Sequence, residues 1–458
     1  MQKNILRDII VISVKKRKKI FMALTVAIAT AVVVLMIATV LIKPYINLGH
    51  HKLGLYWVVC LIGAILMIAT GRISLESAVN GITADSSVNP LKILTLFLSM
   101  TLLSVYLGDA GFFDYIADAV FLKTKGGTLK LFLILYAVVS VLTIFTSNDI
   151  IILTFTPPIC IFAKKAKISP LPFLIGEFIA ANTWSMTFII GNPTNIYLAS
   201  SAGITFSQYF SVMWLPALVG GLTGLLVIFL LFRKQLLAPL PTTDKTESKP
   251  LKKLIPHRTP LIVSIIHLLV CIVLLAVSDF IGVSMWLICL VLALSLTIFD
   301  LVYDLIVEKT AMPVWRSIKK EPYELIPFVL SMFVIVLALK NCGFTTIMQN
   351  AFIKGDKSDG ILFGFLSAGA SNLLNNIPMS VLFERIISGT STPALYGAVI
   401  GSNIGAFITP VGALAGIMWN KILGEYGVKL PFLKFILYGS AVAIPTLLTS
   451  LGTLMLMF

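Results

Sequence analysis

Residues 90–112 read PLKILTLFLSMTLLSVYLGDAGF, and residues 322–344 read PYELIPFVLSMFVIVLALKNCGF. At a constant offset of 232 the leading prolines Pro90 and Pro322, the Leu-Ser-Met triplets and the Gly-Phe pairs coincide. Upstream, Trp57 and Cys60 match Trp286 and Cys289 at offset 229; downstream, Ser147-Asn148 matches Ser371-Asn372 at offset 224. Single matches are cheap in apolar sequence. Their shared order and nearly constant spacing argue for an internal duplication.

Composition says what is duplicated. Of 458 residues 58% are apolar and only 12% charged, and the mean hydropathy is +0.99. Soluble domains carry about 25% charged residues, so a water-soluble fold is excluded. The net charge of +15 raises nucleic-acid binding, but the basic residues lie in loops between apolar runs, as topology determinants facing anionic lipid do; no nucleic acid is expected as a partner. Cys60, Cys160, Cys271, Cys289 and Cys342 show no CxxC spacing and read as small apolar packing residues. The first apolar stretch, over 20 residues long and without a small-residue cleavage pattern, is expected to be a transmembrane helix and not a cleavable signal. Four scattered histidines, without HExxH or GxSxG, speak against a membrane-embedded enzyme.

Apolar runs fall near 20–43, 54–70, 89–108, 128–163, 171–201 and 210–232, then near 260–278, 281–299, 322–340, 359–386, 394–423 and 430–456. The expected organisation is a basic N-terminal segment (1–19), a first repeat (20–235), a polar linker (236–259) and a second repeat (260–458). If five segments of each half cross while the fourth enters and leaves on one side, the crossing number is odd and the repeats are inverted. The fourth segment spans 36 residues in the first half, enough for two helical legs at 1.5 Å per residue. Length leaves a re-entrant hairpin and two full crossings both open, and either keeps the parity. The expected fold is an all-α membrane protein with two inverted repeats, each of five transmembrane helices plus a re-entrant hairpin, and broken helices at the midplane.

Four breaks carry the chemistry. Two are the Ser-Asn elements, SND at 147–149 and SNLLNNIP at 371–378; the others are IIGNPTNIYLA at 189–199 and IGAFITPVGALAGIMW at 404–419. In hydrocarbon a broken helix survives only around a protein-lined cavity. Its freed carbonyls with Ser, Thr and Asn oxygens suit a cation, and half-helix N-termini suit an anion or hydroxylated solute. Asp149 is the outstanding residue, because an intramembrane carboxylate is a functional candidate by default; Leu373 stands opposite it in the repeat. Glu177 ranks second. Glu384 and Arg385 read as an interfacial pair, and Asp109, Asp114 and Asp118 as the solvated face of an amphipathic stretch.

At these residues the chain resembles the arsenite permeases (arsenical pump membrane proteins) of the ion-transporter superfamily, which also holds sodium–dicarboxylate symporters and sodium/proton antiporters. The resembling stretches are LGDAGFFDYIA (107–117), TSNDIIILTFTPPI (146–159), GNPTNI (191–196), LKNCGFT (339–345), SNLLNNIPMSVL (371–382) and YGAVIGSNIGAFITPVGALAGIMWNKIL (396–423). The resemblance implies ten crossings, two re-entrant hairpins, elevator-like alternating access and a secondary, ion-coupled mechanism. It implies one half-site of Ser147, Asn148, Asp149, Asn192, Thr194 and Asn195, and another of Ser371, Asn372, Asn375, Asn376, Thr409 and Gly412. No cofactor or catalytic residue is expected; H⁺ is the expected coupling ion, with Na⁺ at the Ser-Asn tips as the alternative. Expected partners are a small inorganic or organic solute, the coupling ion and the bilayer, with a second copy and a cytoplasmic ATPase as further candidates. The chain departs from the permeases at Asn403 and Phe407, where they tend to have an acidic residue and a Lys, and GNPTN leans toward the Gly-x-Pro-x-Asn loop of the carboxylate symporters.

Orientation signals conflict. Seven basic residues precede residue 20, yet most of the others fall on the side opposite the N-terminus in this topology. The larger count and the resemblance together favour a cytoplasmic central linker in a plasma-membrane (Gram-negative inner-membrane) protein. The expected function is proton-coupled efflux of arsenite or antimonite; the alternatives are sodium-coupled carboxylate uptake and sodium/proton exchange.

Overall fold

The computed structural model describes residues 2–42, 45–48, 51–84, 89–123, 127–239, 258–307, 309–387, 389, 391–410 and 412–458. The greater part of the expected linker, 240–257, lies outside the described residues. The first half runs α1 (Gln2–Ile42), α2 (Leu55–Ala69), α3 (Leu75–Thr83), α4 (Pro90–Asp109), α5 (Phe112–Lys123), α6 (Thr128–Phe145), α7 (Asn148–Lys165), α8 (Leu171–Trp184), α9 (Pro193–Ser201) and α10 (Phe206–Leu236). The second runs α11 (Arg258–Ala276), the single turn α12 (Ser278–Ile281), α13 (Met285–Val307), α14 (Met312–Ile318), α15 (Leu325–Asn341), α16 (Phe344–Phe352), α17 (Ser358–Leu374), α18 (Asn376–Ile387), α19 (Thr392–Gly405), α20 (Leu414–Glu425) and α21 (Phe432–Met457). Apart from α12, the same order of elements recurs. The fold is not wholly helical: strands Tyr45–Leu48 and His51–Gly54 pair antiparallel between α1 and α2. There the chain turns between two helices, and the hairpin satisfies backbone groups that a helix would otherwise satisfy.

Seven helices among the described residues are long and apolar enough to cross a membrane by themselves, and α15 with α16, bent by 77°, is an eighth candidate. The helices that fail this test include α7, α8, α9 and α17 to α20, the hairpins and broken segments expected from sequence. α1 continues unbroken through the basic run 15–19, so the boundary drawn at residue 20 is not a helix boundary.

The broken elements lie inside, and the continuous ones wrap them. Every residue of α8 from Pro172 to Thr183 is buried, as is every residue of α19 from Ala394 to Gly405. Both helices are apolar on nearly all faces, the pattern of a helix surrounded by protein. By contrast α11 and α13 show Ile262, Ile266, Leu269, Val291 and Leu294 on the outside, where lipid is the solvent.

Association in lipid gains little from the hydrophobic effect, so close backbone packing takes its place. Gly360, Gly364 and Ala368 of α17 face Gly397, Gly401 and Gly405 of α19. A Cβ on Gly397 would stand 2.0 Å from the Gly360 carbonyl oxygen, one on Gly401 2.0 Å from that of Gly364, and one on Gly405 2.7 Å from Ala368 Cα. Ser367 Oγ adds a 2.8 Å bond to the Ala398 carbonyl across the same seam. Gly401→Ala therefore forces the helices apart; overpacking of this kind costs about 1–3 kcal/mol. The expected result is a lower midpoint of thermal unfolding in detergent, while Gly452→Ala, whose Cβ meets nothing within 4 Å, leaves it unchanged.

Candidate functional site

α6 ends at Phe145; Thr146 leaves helical angles and Ser147 is extended before α7 begins at Asn148. Asn148 Nδ2 donates to Asn182 Oδ1 on α8 (3.1 Å), and Asn182 Nδ2 donates to the Phe178 carbonyl (2.8 Å). Ser147 Oγ and Asn148 Oδ1 are buried with no hydrogen-bond partner among the described residues. Asp149, half-buried in the first turn of α7, lines a cavity of about 510 Å³ together with Ser147, Thr101 and Ser104. Asp109 and Lys320, which form an ion pair, also line this cavity. Asp109 and Asp114 thus belong to the cavity wall and not to a merely solvated face.

The second hairpin differs from the expected register. α17 continues through Ser371 and Asn372 to Leu374, and the chain reverses at Asn375 (φ 72°, ψ 154°) before α18 starts at Asn376. The tip therefore equates Ser147-Asn148 with Asn375-Asn376, at offset 228, and Asp149 stands opposite Ile377 and not Leu373. The identical letters at 371–372 precede the tip by four residues, close to one helical turn, which keeps them on the same side. Asn372 Oδ1 accepts from Thr409 N (3.0 Å) and Thr409 Oγ1 (2.6 Å), and its Nδ2 donates to the Ala368 and Gly405 carbonyls (both 2.8 Å). Gly412 must be glycine for this approach: a Cβ there would stand 2.9 Å from Asn372 Oδ1. Its carbonyl accepts from Asn376 N (3.1 Å). Ser371 Oγ and Asn376 Oδ1 repeat the pattern of the first tip, buried and without a partner among the described residues.

Between the tips lies a network of side-chain amides and hydroxyls that joins the halves. Asn192 caps α9, its Oδ1 accepting from Thr194 N (3.1 Å) and Thr194 Oγ1 (3.0 Å). Asn403 on α19 accepts at Oδ1 from Asn192 Nδ2 (3.1 Å) and Ser185 Oγ (3.0 Å), and donates from Nδ2 to Asn195 Oδ1 (2.7 Å) and the Val399 carbonyl (2.8 Å). Asn195 in turn donates to the Ser185 carbonyl (2.9 Å), and Thr194 Oγ1 meets Ser402 Oγ (3.2 Å). Ser185, Asn192, Thr194, Asn195, Ser402 and Asn403 are all fully buried. The break's Thr194 N–H and the Ser185 and Phe188 carbonyls thus find amide partners.

Sequence reasoning missed Asn182, Ser185, Ser402 and the central part played by Asn403. A signal was present: Pro172, Gly176 and Asn182 match Pro393, Gly397 and Asn403 at offset 221. Glu177, ranked second, is fully buried between α7, α8 and α20. It accepts from Thr156 Oγ1 (2.9 Å) and Trp419 Nε1 (3.3 Å). Glu384 and Arg385 do pair, at 3.0 Å, with Glu384 buried and Arg385 over the Phe333 ring.

A multi-pass helical protein with two broken-helix hairpins, a buried polar centre and a cavity at the first hairpin tip is, as a class, a membrane transporter. The comparisons agree. The citrate transporter family model (CitMHS) matches residues 55–396, and the chain belongs to that family. An arsenical pump membrane protein of Escherichia coli is 26% identical over 93% of this chain and 98% of its own length. A putative arsenical pump membrane protein of Bacillus subtilis is 25% identical over 82% of this chain and 88% of its own. The resemblance read from the motifs is therefore borne out. Among solved structures, the Alcanivorax borkumensis YdaH transporter superposes with a TM-score of 0.56 at 12% identity, covering 95% of this chain and 98% of its own. Neisseria gonorrhoeae MtrF, described as illuminating a class of antimetabolite efflux pumps, gives 0.52 at 13% over 95% and 94%. These two bear on the fold alone.

Two outcomes follow. Asn403→Leu leaves Asn192 Nδ2 and Asn195 Oδ1 without their partner, at about 1–3 kcal/mol for each buried group left unpaired, so the unfolding midpoint in detergent falls sharply. Asn375 holds a backbone conformation that costs a non-glycine residue about 1–3 kcal/mol. Thermal melts of Asn375→Gly are expected to equal or exceed wild type, and those of Asn375→Val to fall below it.

Proposed function

We propose that this protein exports arsenite or antimonite across the plasma membrane in exchange for protons, with Asp149 as the proton-carrying residue. One observation carries the reading: the polar centre is built of neutral amides and hydroxyls, and among the described residues no Lys, Arg or His is fully buried. Arsenous acid is neutral at pH 7 and presents only hydroxyls, so Asn and Ser oxygens and helix N-terminal N–H groups can hold it without a fixed countercharge. Lys320 lines the cavity beside Asp149 but is already paired with Asp109, so a di- or tricarboxylate there would have to compete for it.

The unpartnered oxygens of Ser147, Asn148, Ser371 and Asn376 would contact the solute or the coupling ion. Asn192, Thr194, Asn195, Asn372, Asn375, Thr409 and Gly412 would hold the broken backbone around it. In this reading residues 20–235 and 260–458 are inverted repeats, and the hairpins move with α8 and α19 against the outer helices in alternating access. The linker faces the cytoplasm, and two copies of the chain associate. A cytoplasmic ATPase is a further candidate partner.

The name of the family model and the unpartnered oxygens at both tips favour one second reading, sodium-coupled uptake of a citrate-like carboxylate. Na⁺ at the tips would then supply the countercharge that the side chains lack.

Flux into inverted membrane vesicles separates the two. Arsenite is expected to accumulate only under an imposed proton gradient, with Asp149→Asn lowering the rate by at least an order of magnitude. Sodium-dependent citrate or succinate flux without arsenite flux would falsify the export reading.

A further inference from the structure

Away from the polar centre, three sulfur atoms converge. Cys271 Sγ on α11 lies 3.7 Å from Cys289 Sγ on α13 and 3.6 Å from Met100 Sδ on α4. Both cysteines are fully buried and Met100 nearly so. Cys60, the repeat counterpart of Cys289, is also buried, but no thiol contact is found for it among the described residues.

Buried cysteines usually act as small apolar side chains, and that account suffices for Cys60. It does not require two thiols and a thioether to meet at one point on three different helices. Soft sulfur donors select soft, thiophilic elements. A tetrahedral zinc site needs four ligands, and among the described residues no group of three His, Cys, Asp or Glu is placed to hold a metal ion. Two adjacent thiols fit an element that needs only two sulfurs and keeps a hydroxyl in its third position.

We propose that Cys271 and Cys289 form a second site on this protein for trivalent arsenic or antimony, distinct from the polar centre, with Met100 as a weak third donor. The occupant rests on the substrate class proposed above; the dithiol geometry does not. The binding step is a substitution. Two As–O bonds of arsenous acid break and two S–As bonds form. Each thiol proton leaves with a displaced hydroxyl as water, and arsenic stays trivalent with one hydroxyl retained. No electrons are transferred, so no oxidant is needed. A neutral solute is suited to reach a site within α4, α11 and α13, and once bound it ties α11 to α13. The transporter would thereby register arsenical in its outer helices as well as in its translocation centre.

The test uses the full chain in detergent with Cys60, Cys160 and Cys342 changed to Ala. The probe is phenylarsine oxide, which releases one water on binding two thiols. Intact-mass spectrometry is expected to find one arsenical per chain, removed by a dithiol and resistant to a monothiol. A further Cys271→Ser or Cys289→Ser change is expected to abolish the adduct, and Met100→Leu to weaken it several-fold. The site is overturned if either serine variant keeps the adduct. It is equally overturned if the parent takes none although both thiols react with maleimide after unfolding. Vesicle flux is scored separately: adduct without arsenite flux removes the proposed function and leaves the thiol site standing, whereas flux without adduct removes the thiol site alone.

Discussion

A backbone amide or carbonyl in hydrocarbon must be paired within the protein, and the architecture follows from that requirement. A transporter needs helices broken at the middle of the membrane, because only there do polar backbone groups become available to a solute. Each break exposes several such groups at once. The protein answers with asparagine, whose side chain both donates and accepts. Asn192 caps α9, Asn372 holds Thr409 and spans to Gly405, and Asn403 ties Asn192, Asn195 and Ser185 together. Remove these amides and the breaks become untenable.

The same requirement divides the labour among helices. Continuous, apolar helices such as α11 and α13 satisfy their own backbones and can face lipid. α8 and α19 cannot, so they are enclosed on all sides. Their enclosure uses small residues, with Gly397 and Gly401 letting α19 rest directly on the backbone of α17. The second hairpin is in this way fastened to its broken helix as one body. The first is joined to α8 through Asn148 and Asn182. Two hairpin-and-broken-helix units meeting through Asn403 describe the polar centre.

Within that centre the two tips are alike in their amides and unlike in charge. Asn148 and Asn376 each begin the second arm of a hairpin and each carry a buried oxygen without a partner among the described residues. Only the first tip adds a carboxylate, and Asp149 faces the open cavity together with Ser147. The asymmetry gives one side of a duplicated site an ionisable group and leaves the other neutral. Elsewhere in the interior Glu177 accepts from Thr156 and Trp419, and Glu384 and Arg385 pair with each other.

By itself the sequence determined the class and plan of the fold: a membrane protein, duplicated, with four breaks, the second tip lying four residues beyond the matched Ser-Asn pair. Hydrophobic runs, Gly-Pro interruptions and Asn clusters are local signals, and local chemistry sets where a helix can exist in lipid. The register of the second tip was decided only by tertiary structure. Ser371-Asn372 and Asn375-Asn376 are one turn apart and chemically near-equivalent as text, and the choice between them depends on Gly412 and Thr409 reaching across from another segment. The partners of Asn403 and the meeting of Cys271 with Cys289 were likewise invisible, because contacts between distant helices leave no spacing along the chain. The matched Ser-Asn element marks the right region, and the packing of α17 on α19 fixes which of its residues form the turn.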